Sequence, residues 1–506
     1  MCDKKSVVII GGGIGGLFTG AFLAKEDYKV TILEKNAIIG GGLQTFSRFG
    51  CKFETGMHIL GGFRKGGVLN KMCSYLGIMD SLKIVELDRD CMDYLRCLTT
   101  GEIYKIGMGR ENFIESLANE FPAERENLKR YVDKMYELTE EVDLFYLRPG
   151  KDHFFLHSEM FLWPVDKFIS YFIKDDKLCR LLAYMNPLYG GIKGHTPAYV
   201  HSLINVFYIE EESRFVGSSM QLADALADVI RKCGGDVLAG KPVTHISVNK
   251  GMVESVETKD GEVYKADLYI SAIHPSTMID IVDKSAFTSA YRNRLNGIPN
   301  SYSAFATFVV FNDKSFKYIN KNCYYLLDSD KIWAHDVYNE ENWPTGFLYI
   351  TPPSESDNTY AKTMIINCIM KFDEVERWRD TKTGNRGKEY EEWKMAHQEK
   401  VLGRMEQLYP GFRKSIKHVF SASPLTFRDF YSTKDGSIYG YRRDSENILE
   451  SQVSIFTKLK NLYLTGQNII LHGICGVPLT AITTAEAIVG KNVILNRINE
   501  CEANKS

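Results

Sequence analysis

A glycine-rich turn between two apolar runs, near the amino-terminal end of the chain, constrains the fold most strongly. An apolar run at residues 7–10 leads into Gly11-x-Gly13-x-x-Gly16, then into a helix-like segment and a second apolar run at residues 30–33. Gly11 permits a tight turn, Gly13 lets a pyrophosphate approach the backbone, and Gly16 lets the helix pack against the strand. The pattern therefore predicts a βαβ unit that binds a dinucleotide.

The residues around this turn extend the predicted site. Ile14 and Gly15 open the helix, whose amino terminus favours an anion because its first amides lack intrahelical acceptors. Glu34 follows the second apolar run, about 18 residues beyond Gly16, where an acidic side chain accepts a hydrogen bond from a ribose 2′-hydroxyl. A carboxylate there repels a 2′-phosphate. We expect Lys35, the next residue, to contact the same ligand.

Length and composition exclude several classes of protein. At 506 residues the chain can form two or three domains, and its formal net charge of -2 gives no basic surface that would indicate a nucleic acid partner. The 11 cysteines contain no C-x-x-C pair, so we expect neither a zinc site nor a disulfide framework, and we infer a reducing, cytoplasmic compartment. We expect no signal peptide and no membrane-spanning helix. Peripheral contact with a membrane stays open.

A second glycine cluster follows Glu34. It reads Gly40-Gly41-Gly42-Leu43-Gln44-Thr45, and it resembles the phytoene desaturase, carotenoid isomerase and retinol saturase superfamily of FAD-dependent oxidoreductases. In that superfamily the cluster lets the chain approach the flavin half of an extended FAD, which assigns Gly41 and Gly42 to the cofactor. Many relatives have arginine at the position of Gly42, so this chain lacks one cation near the flavin.

Two later segments match the remaining FAD-binding elements of the superfamily. The resemblance implies that the backbone at Val243 meets the adenine, and that Gly466 and Gln467 approach the ribityl chain. The helix that contains Val477 would point its amino terminus at the pyrimidine end of the flavin, where its dipole stabilises negative charge. Gln467 matches the retinol saturase-like branch better than the amine oxidases.

These segments predict an α/β protein with a discontinuous, glutathione-reductase-like Rossmann domain that binds FAD. We assign residues 1–75, 215–285 and 446–506 to this domain. The substrate domain comprises residues 76–214, which are mostly helical in pattern, and residues 286–445, whose alternation favours a sheet. We therefore expect a substrate domain with a mixed sheet and helices.

An unusually aromatic stretch occupies residues 144–173. Nine Phe, Tyr and Trp residues fall within it, together with His153, His157, Asp166 and Lys167. Two interpretations are open. The aromatic side chains pack inside a helical cap, or they form an apolar tunnel mouth that also touches a membrane surface.

The leading functional hypothesis is an FAD-dependent oxidoreductase that saturates, desaturates or isomerises carbon-carbon double bonds of an apolar polyene or isoprenoid. His58, Tyr439 and His472 are the polar candidates near the flavin by motif position, for hydrogen bonding or proton transfer. No second Gly-x-Gly-x-x-Gly is present, so the electron donor or acceptor is left open. The alternatives are a flavin amine oxidase and a non-enzymatic, lipid-binding escort protein of the same fold.

Overall fold

The computed structural model describes residues 4–150, 157–334 and 338–504. His153, which belongs to the aromatic stretch, lies outside the described residues together with Phe154 and Phe155. Within the described ranges the chain forms an α/β structure with a parallel sheet, a large mixed sheet and surrounding helices, as predicted.

A five-stranded parallel sheet, which we call the dinucleotide sheet, forms one half of the molecule. Its strands are almost entirely apolar, because helices cover both faces of a parallel sheet. They come from the three ranges assigned above to the FAD-binding domain, whose boundaries stay a prediction. In spatial order the strands are Leu462–Leu464, Leu268–Ser271, Ser6–Ile10, Lys29–Leu33 and Asp236–Leu238.

A seven-stranded mixed sheet, which we call the large sheet, forms the other half. All its neighbouring strands are antiparallel except one parallel pair, in which Asn322 lies opposite Asp93. A hairpin around Gly101 joins its last two strands and forms one edge of this sheet. In spatial order the strands are Ile416–Ala422, Ser303–Phe311, Thr363–Met370, Gly346–Ile350, Asn322–Leu326, Asp93–Cys97 and Ile103–Ile106.

Smaller antiparallel elements connect the two halves. A three-stranded sheet contains Val243–Asn249, Met252–Thr258 and Val263–Tyr264, and the last two strands are joined by a hairpin turn at Asp260 and Gly261. Two further strand pairs are Thr45–Arg48 with Cys51–Glu54, and Ile84–Glu86 with Ser213–Phe215.

Helices surround both sheets. The first helix packs against Gly473–Val489 on one side and Met220–Lys232 on the other. Within the described ranges, no single helix is long and apolar enough to cross a membrane. The last two helices taken together are long and apolar enough, but they are bent by 116° relative to each other. The helices are Ile14–Lys25, Val68–Leu76, Arg110–Glu120, Arg125–Glu140, Val165–Phe172, Asp176–Leu181, Ala198–Glu210, Met220–Lys232, Pro275–Ile281, Ser289–Gly297, Lys388–Leu408, Phe412–Ser415, Pro424–Tyr431, Ile448–Ser451, Gly473–Val489 and Val493–Ala503.

The aromatic stretch at residues 144–173 mostly contributes to the core. Its buried rings are Phe145, Phe161, Phe168 and Phe172. Leu162 and Tyr171 are exposed and flank the half-buried Trp163. None of the residues described in this stretch lines the large cavity that lies between the two sheets. The packing interpretation is therefore favoured, and the described residues of the stretch do not form a tunnel mouth.

Candidate active site

One cavity of about 430 Å³ lies between the two sheets. It opens at the carboxyl ends of the strands of the dinucleotide sheet, the position where open α/β sheets bind ligands. We call the part against that sheet the cofactor half, which is lined by Gly11, Gly13, Ile14, Gly15, Glu34, Lys35, Gly41, Gly42, Val243, Gly466, Gln467 and Val477. The part against the large sheet is the substrate half, which is lined by Tyr184, Leu188, Tyr208, Tyr324, Phe347, Leu348 and Tyr439.

The predicted glycine turn brings three backbone segments together. A Cβ added at Gly16 would lie 2.1 Å from the carbonyl oxygen of Gly11, and one at Gly15 would lie 2.9 Å from Cα of Gly466. Side chains at either position would separate the helix from the strand ends. Gly16 therefore acts through close packing and does not itself line the cavity.

The second glycine cluster completes a narrow backbone cradle. The amide of Gly40 donates a 2.7 Å hydrogen bond to the carbonyl of Gly12. Gly41 has φ of +56°, and a Cβ there would lie 3.0 Å from Cα of Gly13. Glycine is needed at such positions because the conformation is left-handed and the backbones nearly touch. The cradle fits a pyrophosphate, which requires approach to bare backbone.

The helix Ile14–Lys25 begins at this cradle, and Gly473, the first residue of a second helix, also lines the cavity. Gly13 precedes the helix Ile14–Lys25 and His472 precedes the helix Gly473–Val489, and neither residue caps its helix with a side-chain hydrogen bond. The first-turn amides of a helix have no intrahelical acceptor, and together they carry a partial positive charge. Both helix ends can therefore stabilise an anionic ligand in the cofactor half.

The carboxylate of Glu34 is held in place by the backbone. It accepts hydrogen bonds of 2.8 Å from the amide nitrogens of Gly12 and Asn36. Burial raises the pKa of Glu34, and these two hydrogen bonds oppose the shift. The ammonium group of Lys35 donates to the carbonyl of Asp429, and burial lowers its pKa. Lys35 is thus engaged by the protein.

The position of Gly42 is faced by a tyrosine. The hydroxyl of Tyr431 lies 3.8 Å from the Cβ that Gly42 lacks, and only 2.2 Å from the Cβ that Gly56 lacks. Nearby, the carbonyl of Gln467 accepts a 3.4 Å hydrogen bond from the buried guanidinium of Arg443. Arg443 is a cation beside the third cofactor segment that the sequence analysis did not identify.

The three polar candidates occupy different positions. His58 and Tyr439 line the cavity, and His58 Nδ1 lies 3.9 Å from a carboxylate oxygen of Glu54. His472 lies behind Tyr439, with ring centroids 4.9 Å apart, and its Nε2 has no hydrogen-bond partner among the described residues. Burial, with a smaller effect from Arg443, lowers the pKa of His472 to about 3. His472 is therefore neutral near pH 7, and burial raises the pKa of Tyr439.

The substrate half contains hydroxyl groups that the sequence analysis missed. Tyr184, Tyr208 and Tyr324 all line it, and the ring of Tyr184 meets that of Tyr324 edge to face at 5.3 Å. These tyrosines come from distant segments that the fold brings together. Their spacing in the sequence therefore carries no signal.

A buried polar network lies behind these tyrosines. Tyr184 donates a 2.6 Å hydrogen bond to Asp93, and the side-chain amide of Asn322 donates to both Asp93 and Glu212, at 3.0 and 2.6 Å. The guanidinium of Arg214 donates to the side-chain oxygen of Asn322 at 2.8 Å. In the sequence, the acidic run that ends at Glu212 resembles a solvated surface, so burial here could not be anticipated.

Comparisons with known proteins agree with this architecture. An NAD(P)-binding Rossmann-like domain family matches residues 9–76. The chain is 25% identical to the all-trans-retinol 13,14-reductase of Rattus norvegicus, over 97% of this chain and 86% of that protein. It is 24% identical to prolycopene isomerase 1, chloroplastic, of an Oncidium hybrid cultivar, over 96% and 84% respectively.

A structure of putrescine oxidase superposes with a TM-score of 0.65, covering 96% of this chain and 99% of that one at 12% sequence identity. At this identity the likeness concerns the fold alone. The sequence relatives also span nearly the whole chain, and their sequence identity of 24–25% is about twice as high. The predicted resemblance is thus confirmed, and the chain is a homologue of the all-trans-retinol 13,14-reductases and prolycopene isomerases.

Proposed function

We propose that this protein is an FAD-dependent oxidoreductase acting on carbon-carbon double bonds of an apolar polyene or isoprenoid. The observation that carries the proposal is a single cavity that joins a glycine-lined backbone cradle to an uncharged aromatic wall. Reductases and isomerases of polyenes among the relatives support it.

The cofactor half supports FAD through the fit of its backbone. The cradle at Gly13 and Gly41 suits a pyrophosphate, the amino terminus of the helix Ile14–Lys25 lies at it, and Glu34 is oriented for a ribose. FAD, when bound, supplies hydride transfer. We propose that it is held by Gly11, Gly13, Ile14, Gly15, Gly16, Glu34, Lys35, Gly41, Gly42, Val243, Gly466, Gln467 and Val477.

The substrate half supports an apolar substrate. Among the described residues that line the whole cavity, the only acidic or basic side chains other than histidine are Glu34 and Lys35, and both belong to the cofactor half. A protonated amine would therefore lose its hydration without gaining a counter-ion on the wall, which disfavours the amine oxidase alternative. The intact cradle disfavours an escort protein without a cofactor.

The chain's own groups position the substrate and exclude water. Apolar side chains such as Leu188 and Phe347 replace solvent around a polyene. The hydroxyl of Tyr439 and the imidazole of His58 are the polar groups that we propose to orient a substrate end or a flavin edge. His472, which is neutral and buried, would position the ring of Tyr439.

We further propose peripheral contact with a membrane, which is where an apolar substrate resides. The exposed edge formed by Leu162, Trp163 and Tyr171 supports it, with the ammonium of Lys167 lying 3.8 Å from the centre of the Trp163 ring. Aromatic and basic side chains mix in this way at bilayer surfaces. Flotation with anionic liposomes should carry the wild-type protein, and equal flotation of Trp163→Ser/Tyr171→Ser would contradict this contact. We assign the protein to the cytoplasmic side of such a membrane.

The proposed activity is tested by anaerobic flavin absorbance of the FAD-reconstituted protein. The dithionite-reduced form is mixed with all-trans-retinol, and the oxidised form is mixed in parallel with phytoene or with benzylamine. Reoxidation by retinol supports saturation, bleaching by phytoene supports desaturation, and conversion of a cis polyene without net flavin change supports isomerisation. Bleaching by benzylamine alone would contradict the proposal, and so would failure to bind FAD.

A further inference from the structure

Two carboxyl groups lie buried directly behind the substrate half. Asp93 is the first residue of the strand Asp93–Cys97, which lies next to the edge strand of the large sheet. Glu212 lies two residues after the helix Ala198–Glu210. Both side chains are 0% exposed. The side-chain amide of Asn322 bridges the two carboxyl groups by donating to both, and Oε1 of Glu212 has no hydrogen-bond partner among the described residues.

The surroundings of this pair supply one positive charge for two acids. The buried guanidinium of Arg214 donates to Asn322 at 2.8 Å and to the carbonyl of Thr351 at 3.1 Å. Burial raises the pKa of both Asp93 and Glu212, and the neighbouring carboxylate raises that of Glu212 further. Two adjacent carboxylates cannot both ionise cheaply in a low-dielectric site, so the pair retains one shared proton.

A hydroxyl group connects this proton to the cavity. Tyr184 Oη lies 2.6 Å from a carboxylate oxygen of Asp93, and Tyr184 also lines the substrate half. The adjacent hydroxyl of Tyr324 is fully buried on the same wall and has no hydrogen-bond partner among the described residues. The wall of the substrate half therefore contains Tyr184, whose hydroxyl is hydrogen-bonded to Asp93, and Tyr324, whose hydroxyl has no hydrogen-bond partner among the described residues.

We propose that the Asp93–Glu212 pair stores the proton that saturation of a double bond consumes, and that the hydroxyl of Tyr184 delivers it. This inference rests on the proposed function and favours saturation over isomerisation, because isomerisation consumes no net proton. One alkene carbon takes a hydride as the π bond breaks; reduced FAD, when bound, would supply this hydride, and an external two-electron reductant, dithionite in the test below, restores the reduced flavin. The other carbon forms a C–H bond as the Tyr184 O–H bond breaks.

The remaining bonds balance within the network. For this transfer the Tyr184 O–H, which donates to Asp93 in the structure, turns toward the alkene, and the protonated carboxyl of Asp93 then donates to Tyr184 Oη and restores the hydroxyl. The pair is left doubly ionised beside Arg214, and it takes one proton from solvent before the next turnover. The hydride and the proton together add one molecule of hydrogen across the double bond.

The decisive experiment compares Tyr184→Phe with Tyr349→Phe in rapid mixing of the reduced holoenzyme with all-trans-retinol, in H₂O and in D₂O. Tyr349 is the matched control because its buried hydroxyl is hydrogen-bonded to Tyr409 at 3.0 Å and does not line the cavity. We expect Tyr184→Phe to slow flavin reoxidation about 100-fold, the usual contribution of a general acid, with FAD affinity unchanged. The part of the wild-type solvent isotope effect that comes from the Tyr184 proton should disappear from the residual rate, while the part that comes from the exchangeable N5 hydrogen of reduced flavin remains. Reoxidation of Tyr184→Phe at the wild-type rate, with the wild-type isotope effect, overturns the proposal.

A second measurement needs no substrate. The infrared spectrum of the wild-type holoenzyme should contain a protonated-carboxyl stretch that shifts in D₂O and is lost in both Asp93→Asn and Glu212→Gln. Absence of this band in the wild type, or its survival in both variants, overturns the proton store. If wild-type enzyme binds FAD but retinol does not reoxidise it, saturation of retinol fails and delivery fails with it. The infrared band then still decides whether the pair holds a proton.

Discussion

The two halves of the cavity are built on different physical principles. In the cofactor half the walls are mostly backbone, and the spacing is set by the absence of Cβ atoms, as at Gly41, where one would lie 3.0 Å from Cα of Gly13. In the substrate half the walls are side chains, and behind them Asp93, Glu212 and Arg214 form a buried ionisable network. The first half is therefore sensitive to added volume, and the second is sensitive to changed charge.

The largest expected effect tests the charge-sensitive half. Arg214→Met should lower the free energy of unfolding by about 4 kcal/mol, because it leaves the acid pair buried without its cation. Urea unfolding followed by far-ultraviolet circular dichroism measures this. Arg231→Met, which removes an exposed guanidinium paired with Asp228, is the matched control and should change the value by less than about 0.5 kcal/mol. An equal loss of unfolding free energy in Arg214→Met and Arg231→Met would contradict the greater sensitivity of the buried network to a change of charge.

The next effect tests the volume-sensitive half. Gly16→Ala should cost about 3 kcal/mol of stability and abolish FAD binding, because the new methyl group meets the carbonyl of Gly11. Flavin absorbance after gel filtration measures retention of FAD. Gly403→Ala is the control, since a Cβ at Gly403 in the helix Lys388–Leu408 meets nothing within 4 Å. That variant should be neutral or slightly stabilised, and retention of FAD by Gly16→Ala would contradict the steric argument.

An intermediate effect concerns His472, at the boundary of the two halves. Its pKa is lowered to about 3 in the folded protein, so below pH 6.5 the unfolded chain binds a proton that the folded chain does not. Stability contributed by this group is therefore lost as pH falls, by about 2 kcal/mol between pH 7 and pH 5. His472→Gln should lessen this acid loss relative to wild type in urea unfolding. An unchanged pH profile for His472→Gln would count against neutral burial of this imidazole.

The smallest effect sharpens the description of the cofactor half as a backbone site. Glu34→Gln should weaken FAD binding by only about tenfold, because the amide oxygen keeps one hydrogen bond while losing the charge. Equilibrium titration of the apoprotein with FAD measures this ratio. Glu257→Gln, on an exposed strand position, serves as the control. A loss as large as that of Gly16→Ala would mean that side-chain charge, and not backbone fit, dominates this half.

This contrast also explains what the sequence could predict. The glycine segments are local, and a steric requirement on the backbone leaves a pattern within a few residues, as at Gly11 and Gly41. The network of Asp93, Tyr184 and Glu212 comes from three segments that only the sheet topology joins. His472, a candidate by motif position, lies behind Tyr439, because motif position does not reveal which way a side chain points.

The aromatic stretch at residues 144–173 shows the same limit, because its composition does not reveal which tertiary contacts its side chains make. Its composition favoured a tunnel mouth and a core equally, since aromatic side chains serve both. Burial of rings such as Phe168 in the core depends on helices packed from elsewhere in the chain. The residues that do line the substrate half are spread over the large sheet and leave no local signature.

The most direct test of the central claim is product analysis after a single anaerobic turnover. Holoenzyme reduced by dithionite and freed of excess reductant is mixed with one equivalent of all-trans-retinol in D₂O, and the extracted product is measured by mass spectrometry. We expect a product that has lost one double bond and carries a deuterium on each of the two former alkene carbons, because the delivered proton and the N5 hydrogen of reduced flavin both exchange with D₂O. Recovery of unchanged retinol beside flavin that stays reduced would contradict the central claim.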